Sequence, residues 1–364
     1  MNEHLEKLNS VNAKIQNKGI SEPLLIEKLS ILEQLVNSEE NKTESKRYFE
    51  EAVRAAHLLS EKFDSEEYAE CVFSWEWGSI CEEEEDSFEE KAAAFLKEKQ
   101  DKISKTPCTS LERCLANAFN EYGGYYEEKA GDLIDEKACE CYIKARDLYE
   151  NVFLNTDEIA DRLGYADSCL KCAKYGTQER FDNLFKVLKL LQDVPENKEL
   201  REFYYFTKGE AYRELAEVEE FDQALEWIYQ AKDCYSKLYE LTDKKEDASA
   251  YLMLTNYKLA TLYEDMGRIE EAASEYEKVF ERLKESDSKD LLQISLKEVL
   301  SLLEENKKFD KCIELSKKYG RAYDTGMLIT QIINKNKIQP DRKKEYEREA
   351  NIDEYWCGNR KNRI

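Results

Sequence analysis

The sequence predicts an all-α protein, an α-solenoid of about seven antiparallel helix pairs, and three observations predict it. Of 364 residues only 12 are Gly and 4 are Pro, too little punctuation for a β-rich fold, and the strong helix formers Glu, Lys, Leu and Ala dominate. Apolar residues recur at intervals of three and four rather than two, which gathers them on one face of a helix. The third observation is repetition. Phe181/Leu184/Leu188, Phe221/Ala224/Ile228, Ile269/Ala272/Tyr276 and Phe309/Cys312/Ser316 share one spacing, a bulky residue followed three positions later by a smaller or aliphatic one. Self-similarity of this kind marks stacked units, because one helix pair cannot bury its apolar face alone.

Residues 1–21 read as an N-terminal helix or cap, 22–321 as the repeat array, and 322–364 as a capping helix with a basic tail. The first pair covers 24–36 and 48–62, with Asn41 or Thr43 placed to cap its second helix. The second covers 66–81 and 86–99, with Asp86 and Ser87 as caps and Glu89 and Glu90 in the first turn, where the macrodipole favours them. The third covers 111–129 and 136–153; Gly123 and Gly124 each cost roughly 1 kcal/mol against Ala and predict a break or kink near Gly123. The fourth starts after the cap pair Thr156 and Asp157 and ends at Pro195. The fifth (200–241) and sixth (251–283) carry the clearest patterns; in the sixth, Gly267 takes the position after a helix that tolerates left-handed φ. The seventh, 294–323, ends at Gly320, and Pro340 precedes a short charged helix and the terminal stretch 358–364.

Composition excludes several function classes. Acidic residues outnumber basic ones by 79 to 55, a formal charge of −24 that repels nucleic acid and anionic membranes and steers basic partners inward. No apolar run is long enough to span a bilayer, and the N-terminus carries no secretory signal. Eleven cysteines without a dense framework fit free thiols in a reducing cytoplasm. Cys139 and Cys141 diverge on a helix, whereas Cys169 and Cys172 have the spacing to share a metal; small buried apolar groups is the plainer reading of both pairs. The run Glu82 to Asp86 reads as a solvated loop, or else as a docking patch for a basic segment.

Catalytic chemistry finds no foothold. His4 and His57 are the only histidines, and neither has a sequence context that suggests a base or ligand. There is no phosphate loop, no Gly-x-Ser-x-Gly and no His-Glu-x-x-His, so no enzyme activity and no cofactor is expected. Among the aromatic residues, the continuous run Phe203 to Phe206 reads mostly as core packing, with a partly exposed peptide hot spot as the alternative, and Trp75 and Trp77, two apart, diverge, so that one is partly exposed unless neighbouring helices bury both.

Leu259-Ala260, Tyr263, Gly267, Ala272, Tyr276 and Val279 together resemble the tetratricopeptide repeat, and Trp77-Gly78, Cys81, Phe88, Ala92 and Phe95 look like a poorer copy. Taking Ala92, Ala138, Leu184, Ala224, Ala272 and Cys312 as equivalent, the period is 40 to 48 residues, longer than that family's usual repeat of about 34. The resemblance implies a right-handed superhelix whose groove, lined by the first helix of each pair, binds a protein or peptide. Its groove positions carry over to Lys174, Arg213, Tyr257, Thr261, Glu264, Lys297, Ser301 and Glu304. The family's clamp for chaperone C-termini falls on Phe206/Glu210, Lys258 and Ile294/Glu298, residues that do not support that activity. The expectation is a scaffold or adaptor for a basic segment; the alternative is a peptide-responsive repeat regulator that compacts on binding, although the first sixty residues show no basic recognition helix.

Overall fold

The structure is a computed structural model; it describes residues 2–284 except 39–40, 64, 132–133 and 176–178, and also 299, 300, 303, 306, 308, 311, 314, 315 and 318. The C-terminal stretch 322–364 and most of the seventh pair lie outside the described residues. Thirteen helices follow one another among the described residues: α1 Asn2–Lys18, α2 Glu22–Ser38, α3 Lys42–Phe63, α4 Glu66–Cys81, α5 Glu85–Lys105, α6 Thr109–Ala130 and α7 Glu136–Thr156. They continue with α8 Ile159–Tyr175, α9 Arg180–Leu190, α10 Lys198–Ala216, α11 Phe221–Leu241, α12 Lys245–Asp265 and α13 Ile269–Lys284. The first six predicted pairs are thus α2/α3 through α12/α13, in an all-α solenoid. The chain falls into two compact units, residues 1–207 and 208 onward, and the division lies inside α10.

The second helices of five pairs are held at the position that the sequence pattern marked. Ala92, Ala138, Leu184, Ala224 and Ala272, the positions taken as equivalent, are all 0% exposed, while Phe181 and Phe221, which open their stretches, are exposed. The small or aliphatic residue is therefore the packing point, while the bulky one before it stands at the surface in these two stretches and is half-buried at Ile269. In unit 1, α1 closes the N-terminal end by laying Leu8 and Val11 against Leu25, Leu29 and Leu32 of α2. A second core joins α4 to α8 around Trp77, Phe119, Tyr122 and Tyr142.

The ends of the helices correct some of the expected caps. Asn41 does cap α3, its Oδ1 accepting from the Thr43 amide at 2.9 Å. Helix α5 starts earlier than expected, so Asp86 and Ser87 lie inside its first turn: the Glu84 carbonyl already accepts from the Phe88 amide at 2.9 Å, leaving Glu84 as an N-cap without a side-chain bond. The pair Thr156 and Asp157 divides its work. Asp157 ends α7 in the left-handed region at φ 53°, and Thr156 Oγ1 accepts from the Glu158 amide at 3.3 Å. Gly267 ends α12 at φ 71°, with the Arg268 amide bonded back to the Tyr263 carbonyl at 2.7 Å, the double closure of a Schellman turn.

The expected break near Gly123 is absent, because α6 runs unbroken through both glycines. Gly123 is there for space: a Cβ would lie 2.6 Å from Cε1 of Tyr142, a ring that is 0% exposed. The helix gives up propensity to let α7 approach. Unit 2 repeats the device, where a Cβ on Gly209 would lie 2.8 Å from the Tyr235 ring.

Helices α6 and α8 are stapled by a polar ladder at one constant offset. Arg113 pairs with Asp161, Asn120 with Ser168 and Glu127 with Tyr175, each 48 residues apart in sequence. Three pairs seven residues apart, all running the same way, require the two helices to be parallel and in register over about 21 Å. Lys137 repeats the same offset one layer over, bonding Glu89 at 2.5 Å between α7 and α5. The repeat length read approximately from apolar positions is thus fixed at 48 residues at this step.

Candidate protein-binding face

Helix α12, the first of the sixth pair, buries most of its surface and keeps a stripe for solvent. On α12 the buried set is Ala248, Leu252, Thr255, Asn256, Leu259, Ala260, Leu262 and Tyr263. Among its outward residues are Leu254, 53% exposed, Tyr257, 37% exposed, and the half-buried Thr261 and Glu264. Helical spacing puts these four on one line. Three of the eight residues expected to line a groove are therefore together, and Leu254, which the family pattern did not mark, joins them.

The line is braced from α13. The Tyr257 ring meets Tyr276 edge-on at 5.7 Å, and the Tyr276 hydroxyl donates to Glu264 Oε2 at 3.1 Å. Thr261 Oγ1 donates to the Lys258 carbonyl at 2.9 Å, so its hydroxyl offers a ligand only its acceptor side. A preset aromatic beside an oriented carboxylate can take an apolar side chain and a cation close together.

Arg213 is placed differently from the expectation. Its Nε donates to Glu210 Oε1 at 3.1 Å, and its Nη2 donates to Glu210 Oε2 at 2.9 Å and Glu214 Oε1 at 3.0 Å. Glu210 is buried and also accepts from the Tyr235 hydroxyl at 2.5 Å, so the guanidinium neutralises interior carboxylates. Burial alone lowers the Arg213 pKa, but the Glu210 bond outweighs it and the group stays firmly charged above its ordinary value. Lys174, in unit 1, is half-buried on α8, one turn beyond Lys171, which pairs with Asp167 at 3.0 Å. Lys297, Ser301 and Glu304 lie outside the described residues.

Unit 1 has its own exposed stripe on α6, which sequence reasoning did not find. Asn117 and Glu121 face solvent there; Asn117 accepts from Tyr149, and Glu121 Oε2 accepts from Trp77 Nε1 at 2.5 Å. Trp77 is buried while Trp75 is half-buried against Phe49, as their divergence required. Of the aromatic run 203–206 only Phe203 is exposed. The acidic run is partly neutralised within the fold: Glu83 bonds Lys91 at 2.6 Å and Lys46 at 2.9 Å, which hold its carboxyl down at about 2.

Cys169 and Cys172 are buried, and burial pushes both thiols up to about 12, so they stay protonated and behave as small apolar groups. No cluster of three or more metal-binding side chains occurs among the described residues, and no described helix is long and apolar enough to cross a membrane.

No protein-family model and no curated protein matches the chain. Solved structures resemble it in helical architecture. A signal-transduction ATPase with a tetratricopeptide repeat sensor from Pyrococcus horikoshii is 13% identical at a TM-score of 0.47; the alignment covers 97% of this chain, which spans only 52% of that protein. The nuclear import adaptor Nro1 of S. pombe is 13% identical at 0.46, covering 76% of this chain and 94% of its own. A Rap protein complexed with competence and sporulation factor is 14% identical at 0.38, with 85% and 80% covered.

Proposed function

We propose that the chain is a non-enzymatic scaffold that holds a basic peptide or protein segment against the exposed stripes of its first helices. One observation carries this reading: Leu254 and Tyr257 stand exposed in line with Glu264, in a chain of net charge −24. Covering two such side chains is worth on the order of 1–2 kcal/mol each, and the acidic field speeds the encounter with a cation. Arg213 serves by fixing Glu210 and Glu214 rather than by meeting the ligand. The same charge argues against direct binding of nucleic acid or membrane, the eleven cysteines without a dense framework fit a reducing cytoplasm, and the reading calls for no cofactor.

A synthetic amphipathic Leu/Lys helix is expected to bind the full chain, with Kd rising at least about tenfold as salt is raised from roughly 50 to 500 mM. Substituting Leu254→Ala and Tyr257→Ala together should weaken it at least about tenfold, and a Lys→Glu version of the peptide should not bind. Fluorescence anisotropy measures all three; affinity indifferent to salt or to the double substitution would sink the reading. The regulator alternative differs in expecting compaction, so small-angle scattering with the same peptide separates the two.

A further inference from the structure

Unit 1 contains a cleft that the binding face does not use. It opens between α3 and α5 above α4, has a volume of about 180 Å³, and is walled by Ala69, Val72, Phe73 and Ile103, with His57 and Lys99 among its polar members. An apolar cavity of roughly 150 Å³ accommodates a benzene ring, so one ring or branched alkyl group fits here with a small head group.

Lys99 supplies the receptor for that head group. Its side chain is only 14% exposed, and its Nζ donates to Glu76 Oε2 at 2.6 Å while lying 4.8 Å from the centre of the Phe95 ring. An ammonium has three N–H donors, and Glu76 takes one. No second acceptor meets it among the described residues. Glu76 is fully engaged in turn, because its other oxygen lies 3.0 Å from His57 Nε2. The cleft therefore offers unspent donors, with Lys102 beside them, against a single further carboxylate, Glu61. The net charge of −24 does not forbid an anion here, since fields decay over about 8 Å at physiological salt and the nearby charges decide.

We propose that this cleft binds a small monocarboxylate bearing an aryl or branched-alkyl group, its carboxylate on Lys99 and its apolar body against Val72, Phe73 and Ile103. Charge-assisted bonds to a largely desolvated ammonium are the strong kind, and the apolar walls select against bare inorganic anions. Two sources carry this chemistry, a free organic acid and the C-terminal residue of a peptide.

Calorimetric titration of the full chain with phenylacetate, phenylacetamide and N-acetylphenylalanine tests it. Phenylacetate is expected to bind at least about tenfold more tightly than its neutral amide, and Lys99→Met, which keeps the aliphatic stem, should remove that difference. Ala69→Leu, which fills the cleft from its wall, should abolish binding of both while circular dichroism stays unchanged. N-acetylphenylalanine binding as well as phenylacetate identifies a peptide C-terminus as the source; phenylacetate alone identifies a free acid. No heat from phenylacetate at about 10 mM, equal affinity for acid and amide, or unchanged affinity in both variants overturns the proposal.

Discussion

Replacing Arg113 by Met is expected to destabilise unit 1 by about 3 kcal/mol, enough to lower its melting temperature by roughly 9 °C. Asp161 is 1% exposed, and its carboxylate receives Arg113 Nε at 2.5 Å, Arg113 Nη2 at 2.7 Å and Thr156 Oγ1 at 2.6 Å. Removing the guanidinium leaves a buried carboxylate with one neutral donor, which costs more than the pair contributes in its place. The effect depends on pH with a definite sign. Burial alone raises the Asp161 pKa, but the bonds from Arg113 and Thr156 outweigh it and hold the group below its ordinary value. A lowered folded-state pKa contributes stability above the unfolded value of about 3.9 and loses it as pH falls through the folded one. In Arg113→Met the carboxyl is left raised instead, and its penalty vanishes once it is protonated. The gap between the two proteins should therefore be larger at pH 7 than at pH 4, because it begins to shrink as pH falls through the variant's raised value and goes on shrinking down to the native protein's lowered one. Thermal unfolding followed at both pH values checks this; a pH-independent gap would mean that the loss comes from packing of the Arg113 stem alone.

The adjacent glycines of α6 are expected to respond in opposite directions. A Cβ at Gly123 meets the Tyr142 ring at 2.6 Å, and that ring cannot swing away: it is 0% exposed and its hydroxyl donates to Glu127 at 2.6 Å. Gly123→Ala should cost about 2 kcal/mol, overpacking exceeding the propensity that Ala brings. A Cβ at Gly124 meets nothing within 4 Å, so Gly124→Ala should stabilise by about 0.5–1 kcal/mol. Urea denaturation of both variants, with Gly123→Ala repeated in a Tyr142→Leu background where the cost should largely disappear, decides the matter. Equal effects at the two positions would show that helix propensity alone governs them.

The same pair shows where sequence reading stops. Two adjacent glycines in a helical pattern signal a break by propensity, and nothing local says that one of them receives a tyrosine from the next helix. Tertiary approach overrode the local preference. The caps divide along the same line: Asn41 and Gly267 act through their own neighbours in sequence and were legible, whereas α5 began early because its first backbone bond closed from Glu84. On the exposed stripe of α12, helical spacing was enough to align Tyr257, Thr261 and Glu264. It could not tell that Arg213, equally well placed by pattern, is taken up by Glu210 and Glu214, because that depends on where Tyr235 and the buried carboxylates meet. Leu254 was missed for the converse reason: an apolar residue in a helical run reads as core until its outward direction is known.

The sequence by itself determined the class and the repetition. Helix formers with little Gly or Pro, apolar residues three and four apart, and a recurring small-residue position left the chain no other way to bury its apolar stripes than by stacking pairs. Only the tertiary structure decided the register of that stacking and the fate of the charges. The 48-residue offset is written by Arg113–Asp161, Asn120–Ser168 and Glu127–Tyr175, pairs whose members lie too far apart in sequence for periodicity to match them. Which arginine is spent in the interior, and which tyrosine stays at the surface, follows from the same cause: a side chain's direction is set by its helix, but its partner is set by the helix packed against it.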